Sequence, residues 1–245
     1  MTTSDRQQLA SRLTAVRQRI AVAAEAVGRD PSDITLVAVA KTVSTEATKD
    51  AYLLGADHLG ENRVADLTAK RRDIPEATWH MVGRLQRNKV RDVVDGQTLI
   101  HSLDRRSLAD AIQRHAARLG VTQPVLVQVN VGEDPAKGGC QVNEVGDLVA
   151  YADRLTNLRV EGLMTVPPLP TMQSSALAEV AGHFATLRQC RDHVAATVPT
   201  VRTLSMGMSA DLEAAIEQGA TMVRVGTDIF GPRSAGQGRL QEEQR

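Results

Sequence analysis

Apolar positions along the chain follow two alternating rhythms. From residue 5 to 27, Leu9, Leu13, Val16, Ile20, Ala23 and Val27 recur at helical spacing, and Gly28 follows as a stop. The next stretch, Ile34-Thr35-Leu36-Val37-Ala38-Val39-Ala40, is a continuous apolar, β-branched run of strand length. Strand-like stretches at 34–40, 57–60, 79–82, 98–101, 124–130, 158–163, 202–205 and 221–225 then alternate with helix-like ones. The latter lie at 45–54, 62–71, 86–94, 105–118, 143–154, 173–195 and 210–218. Such alternation predicts a parallel sheet with crossover helices. Runs such as Pro124-Val125-Leu126-Val127-Gln128-Val129 suit strands covered on both faces. Eight strand units in 245 residues predict a closed α/β architecture, a single TIM-type (β/α)8 barrel with an extra N-terminal helix.

Nothing in the chain divides it. No Pro/Gly/Ser-rich linker interrupts the pattern, so residues 1–245 read as one domain, with the polar stretch 232–245 expected to be a loosely ordered tail. The charges balance at 29 basic and 29 acidic residues, which argues against a nucleic-acid binder. No apolar run has the length of a membrane span and the first residues lack a signal-peptide core, so a cytoplasmic protein is expected. Cys140 and Cys190 have no paired spacing, and the histidines show no metal-type spacing with carboxylates. A monomer is the expected state.

The candidate chemistry lies just past the strands, because barrel enzymes place their sites at the C-terminal strand ends. Lys41 stands directly behind the first apolar run, and it is one of only five lysines against 24 arginines. Burial there would favour the neutral amine, the nucleophile that forms a Schiff base with an aldehyde; the position equally fits a strand-end lysine whose stem lies on the core while its head reaches water. After the seventh strand comes Ser205-Met206-Gly207-Met208-Ser209, and after the eighth Gly226-Thr227, with Arg224 inside the strand. Loops in these two places commonly hold a phosphate: glycines admit close approach, hydroxyls donate and helix N-termini favour anions. Arg224 adds fixed donors for a phosphate or a ring nitrogen. A lysine amine beside a phosphate cradle fits a sugar-phosphate aldolase or a protein holding pyridoxal 5'-phosphate, and spacing does not choose between them.

The residues themselves resemble the pyridoxal phosphate homeostasis family. The resemblance is carried by Val37-Ala38-Val39-Ala40-Lys41-Thr42, by Gly60-Glu61-Asn62 and by the stretch from Trp79 to Lys89. It continues through Val129-Asn130, Lys137-Gly138-Gly139, Gly162-Leu163-Met164-Thr165, the stretch from Leu204 to Asp211 and the stretch from Val223 to Gly231. Departures are Arg63, where an aromatic residue is common, and Gly138, where a serine is usual. The resemblance implies a barrel like the N-terminal domain of alanine racemase and that of bacterial-type ornithine decarboxylase. It further implies an internal aldimine at Lys41, with Ser205, Gly226, Thr227 and Arg224 around the phosphate end and Asn62 and Met206 lining the pocket. The implied role is intracellular vitamin B6 homeostasis without strong turnover; the implied partners are the cofactor and apo-enzymes or other B6-handling enzymes.

The alternative is a pyridoxal-phosphate-dependent amino-acid racemase, which needs an acid/base group on each face of the α-carbon. Lys41 would serve one face. Tyr52 and Tyr151, the only tyrosines, fall on helix-like segments, which disfavours them for the other; Cys140 or a histidine remains as a weak second base. His80 is expected as a hydrogen-bonded core residue ahead of a pocket-wall one, and Lys137 as a solvated loop cation by default, with a rim cation or a secondary aldimine site as the alternatives. The basic stretch Arg84, Arg87, Lys89 and Arg91 is expected as a solvated face.

Overall fold

The computed structural model describes residues 2–134, 137–168 and 176–232. The expected tail beyond 232 and the first three residues of the 173–195 stretch lie outside them.

The chain opens with α1 (Thr3–Ala26), started by a capping box in which Thr2 and Asp5 exchange side-chain-to-backbone hydrogen bonds. Its predicted apolar stripe is buried at Leu9, Leu13, Val16, Ile20 and Ala23, and Gly28 ends it at a φ of 70°. Eight strands follow: β1 (Thr35–Val39), β2 (His58–Glu61), β3 (Thr78–Met81), β4 (Leu99–Leu103), β5 (Gln123–Gln128), β6 (Leu158–Met164), β7 (Thr203–Ser205) and β8 (Met222–Val225). Each pairs in parallel with the next, and β8 returns to β1 with Val37 opposite Arg224, so the sheet closes into a barrel. The helices between them are α2 (Thr45–Leu53), α3 (Val64–Asp73), α4 (Arg106–Leu119), α5 (Val145–Asp153), α6 (Ala176–Ala195) and α7 (Leu212–Glu217), with α8 (Thr227–Phe230) after the last strand.

One expected helix differs in kind. The segment after β3 forms a six-residue 3-10 helix, Arg87–Asp92, of which only Val90 is buried. A single apolar anchor offers no stripe on which an α-helix could dock.

Strand residues alternate between two apolar regions. Outward-facing side chains such as Ala38, Leu59, Val127, Leu163 and Val223 join the helices in the main core. Inward-facing Val37, Val39, Leu99, Leu126, Met164 and Met222 form a smaller cluster inside the barrel. Polar side chains share that interior: His80, His101, Ser205 and Arg224 are all buried there.

Candidate functional site

At the C-terminal ends of the strands a cavity of about 430 Å³ opens to solvent. Its walls include Lys41 after β1, Asn62 after β2, Arg224 inside β8, and Gly226 and Thr227 just beyond it. Five of the seven residues singled out from sequence therefore meet at one cavity. Val39, Val82, Met164 and Val166 supply its apolar lining, a combination suited to a small ring with polar substituents.

The remaining two lie elsewhere. Met206 is fully buried and packs in the main core between sheet and helices, so its side chain is not on the cavity wall. Ser205 is also fully buried, directly behind Arg224, with Arg224 Nη1 donating to its Oγ over 2.7 Å. The neighbouring Met208, Ser209 and Ala210 reach the cavity in their place. Strand alternation explains the shift: Met206 continues the outward face and Ser205 the inward one.

Of the two environments open to Lys41, the structure shows the one that reaches water. β1 stops at Val39, Ala40 is fully buried, and Lys41 is the first residue of a turn in which Thr42 adopts a φ of 64°. Lys41 is exposed at the cavity wall rather than desolvated. The strand end beneath it is held by a buried ion pair that sequence reading missed. Lys70 Nζ, on α3, contacts Glu61 Oε1 at 2.5 Å and donates to the Ala40 carbonyl at 2.8 Å. Glu61 Oε2 in turn accepts from Asn62 N at 3.2 Å. One pair thus ties together the chain segments that carry Lys41 and Asn62.

The other side of the cavity is built by the loops after β7 and β8. Gly207 has a φ of 94°, and a Cβ there would lie 2.6 Å from the Ala215 side chain, so only glycine fits the turn. Asp211 Oδ1 accepts from Met208 N and closes this loop; burial raises its carboxyl above the usual range. At Gly226 a Cβ would come within 3.0 Å of the Val39 carbonyl, and its absence lets the loop sit against the end of β1. Arg19, on α1, fastens both loops from outside. It donates to the Ser209 carbonyl at 2.9 Å, pairs with Glu213 at 2.7 Å and also binds the Asp228 carboxylate.

Arg224 is the buried cation of the site. Burial lowers its guanidinium to about 10, with Asp211 opposing that shift, so the group stays charged at neutral pH. Nη2 donates to the Thr165 carbonyl at 2.7 Å, which together with Ser205 fixes its plane.

Lys137, solvated by default in the sequence, takes the place of a rim cation: it lines the cavity and is only partly exposed. Its Nζ donates to the carbonyls of Val166 and Pro167, and burial lowers its ammonium from the ordinary value. Gly138 lines the cavity beside it, its carbonyl accepting from Gln128 Nε2 at 2.9 Å. Of the basic stretch, Arg84 reaches the cavity wall. A second cavity beside the first is lined by Arg63, Arg84 and Lys89.

Comparison with known proteins places this geometry in context. The family model for the alanine racemase N-terminal domain matches residues 11–234. A pyridoxal phosphate homeostasis protein of Aquifex aeolicus is 41% identical over 225 residues, which cover 91% of this chain and 97% of that protein. The chain belongs to the pyridoxal phosphate homeostasis protein family. A second relative of that name, from Pseudomonas aeruginosa, is 36% identical over 93% of this chain and 97% of its own. Among solved structures, PipY of Synechococcus elongatus with PLP bound superposes at a TM-score of 0.77 with 34% identity. That match covers 91% of this chain and all of PipY. The relatives carry the name of homeostasis proteins rather than of enzymes. Among the described residues, no helix is long and apolar enough to cross a membrane.

Proposed function

We propose that this member of the family binds pyridoxal phosphate at the strand-end cavity, bonded through Lys41, and manages the cofactor without strong turnover. The observation that carries the reading is the convergence of Lys41, Arg224 and the Ser209 and Gly226–Thr227 loops on one cavity of about 430 Å³. A lysine amine condenses with an aldehyde to an imine, releasing one water. Such an amine must sit within reach of the aldehyde while a separate cradle holds the phosphate, and the cavity has both elements. The loops after β7 and β8 offer hydroxyls and backbone N–H groups to the phosphate end. Arg224, on the cavity wall, would offer its remaining donors to the ring or the phosphate, and Asn62, on the same wall, would add a further polar contact. Ser205 contributes by holding Arg224; Met206 contributes packing beneath the loop. PipY, which binds PLP, supports the same ligand here by similarity.

The composition of the walls supports a carrier over a racemase. Among the described lining residues the ionisable groups are Lys41, Arg84, Lys137 and Arg224. Lys137 already donates to two carbonyls. Tyr151 binds Asp110 at 2.6 Å on the outer shell, and the Cys140 thiol is pushed up to about 12 by burial. Neither is placed or poised to take a proton from a bound amino acid. Borohydride reduction of the loaded protein, followed by peptide mass mapping, tests the bond. A pyridoxyl group on Lys41 is expected; the label on Lys137 with Lys41 unmodified would refute the assignment. The role read for it in intracellular B6 supply, including transfer to apo-enzymes, rests on its similarity to the homeostasis proteins and on a cavity open to solvent.

A further inference from the structure

Below Arg224 a line of polar side chains crosses the barrel interior, and the proposed cofactor site makes no direct use of it. Arg224 Nη1 donates to Ser205 Oγ at 2.7 Å, and His101 Nδ1 lies 3.1 Å from the same oxygen. His101 Nε2 is 2.9 Å from His80 Nδ1, and His80 Nε2 is 3.0 Å from His58 Nδ1. His58 is the first residue of β2, at the end of the barrel opposite the cavity, and it is half-buried, whereas the others are buried.

Chemistry fixes the direction of this line. A guanidinium has donors only, so the Ser205 oxygen accepts on that side. Its single proton needs an acceptor, and the other side-chain atom within reach is His101 Nδ1. That nitrogen is therefore bare and His101 carries its proton on Nε2. His80 Nδ1 must then accept, which puts the His80 proton on Nε2, and the same step repeats at His58. Charging either of the two inner rings would oppose two N–H groups across a short contact or set a second cation near Arg224.

We infer that Ser205, His101, His80 and His58 form a polarised positioning relay for Arg224, holding its guanidinium at the cavity floor and carrying its polarity to the far end of the barrel. The surroundings favour uncharged rings. Burial holds His80 down to about 3 and His101 well below its ordinary value, with neighbouring His58 acting on the first and His80 and Arg224 on the second. Burial also lowers His58, against the pull of Asp57. Asp211 is the acidic group that faces the Arg224 end. The consequence for ligand choice rests on the proposed cofactor site: with Arg224 clamped as a donor, the ligand atom that meets it is an acceptor.

The test uses the protein without cofactor. Long-range nitrogen–proton NMR of histidine-labelled protein reads the tautomer of each ring at neutral pH. The relay predicts one neutral Nε2–H tautomer for His58, His80 and His101, and separately resolved Arg224 Nη signals from a clamped guanidinium. Ser205→Ala removes the donor to His101 Nδ1, so the rings become tautomer mixtures and the Arg224 signals average. Ser205→Thr keeps the hydroxyl and restores the single pattern. A proton on Nδ1 of His80 or His101 in the wild type, a charged inner ring at neutral pH, or an unchanged pattern in Ser205→Ala overturns the relay. If Ser205→Ala does not fold, the wild-type pattern alone decides. Because no cofactor is present, failure here leaves the Lys41 site standing, and failure of cofactor binding leaves the relay standing.

Discussion

Lys70 Nζ donates to the carbonyl of Ala40, the residue before Lys41, across 2.8 Å. The same ammonium neutralises Glu61, and both side chains are almost wholly buried. Removing one partner of such a pair strands a buried charge. Lys70→Met is expected to destabilise the fold by about 3–5 kcal/mol. The double variant Lys70→Met with Glu61→Gln should recover part of that loss. Urea unfolding of the three proteins checks this; a single variant as stable as wild type would mean the pair is not a structural tie.

Arg19 acts on the other wall. Its contacts with Ser209, Glu213 and Asp228 bind α1 to the loops after β7 and β8. Arg19→Ala should leave the barrel folded and loosen those loops, weakening retention of pyridoxal phosphate several-fold and inorganic phosphate competition in parallel. Equilibrium dialysis measures both. Unchanged retention would show that the loops hold their shape without α1.

The interior histidines predict acid sensitivity. His80 takes up a proton near 3 in the folded chain, against an ordinary value of 6.5. The folded state therefore binds fewer protons than the unfolded one below 6.5, so this stability is fully present above 6.5 and is lost as pH falls toward 3. For His80 this removes roughly 2 kcal/mol between about pH 7 and pH 5. His101 and His58 shift in the same direction. Urea midpoints across that range should fall steadily; a flat profile would contradict neutral buried rings.

Much of the barrel was legible because each strand is a short apolar run followed directly by polar or glycine residues. Lys41, Gly226 and Thr227 could be placed because each follows directly on a strand end, where the barrel mouth lies; Asn62 was legible only through the family resemblance. What was hidden depends on contacts distant in sequence. Arg19 meets Glu213 across 194 positions, and no local pattern marks such a partner. The histidines sit 22 and 21 positions apart on successive strands, and their common line exists only once register is set. The apolar run before Lys41 does not say whether its amine is buried or reaches water, and the turn at Lys41–Thr42 leaves it exposed at the cavity mouth. The family resemblance implies a pocket-lining Met206, whereas strand alternation sends its side chain outward into the main core.

The most direct test of the account is the absorption spectrum of the purified protein and of Lys41→Ala, each incubated with pyridoxal phosphate and desalted. The account predicts an imine band in the wild type that borohydride abolishes, and its loss in Lys41→Ala with the fold intact by circular dichroism. A wild type that keeps no chromophore, or a variant that keeps the same band, would contradict it.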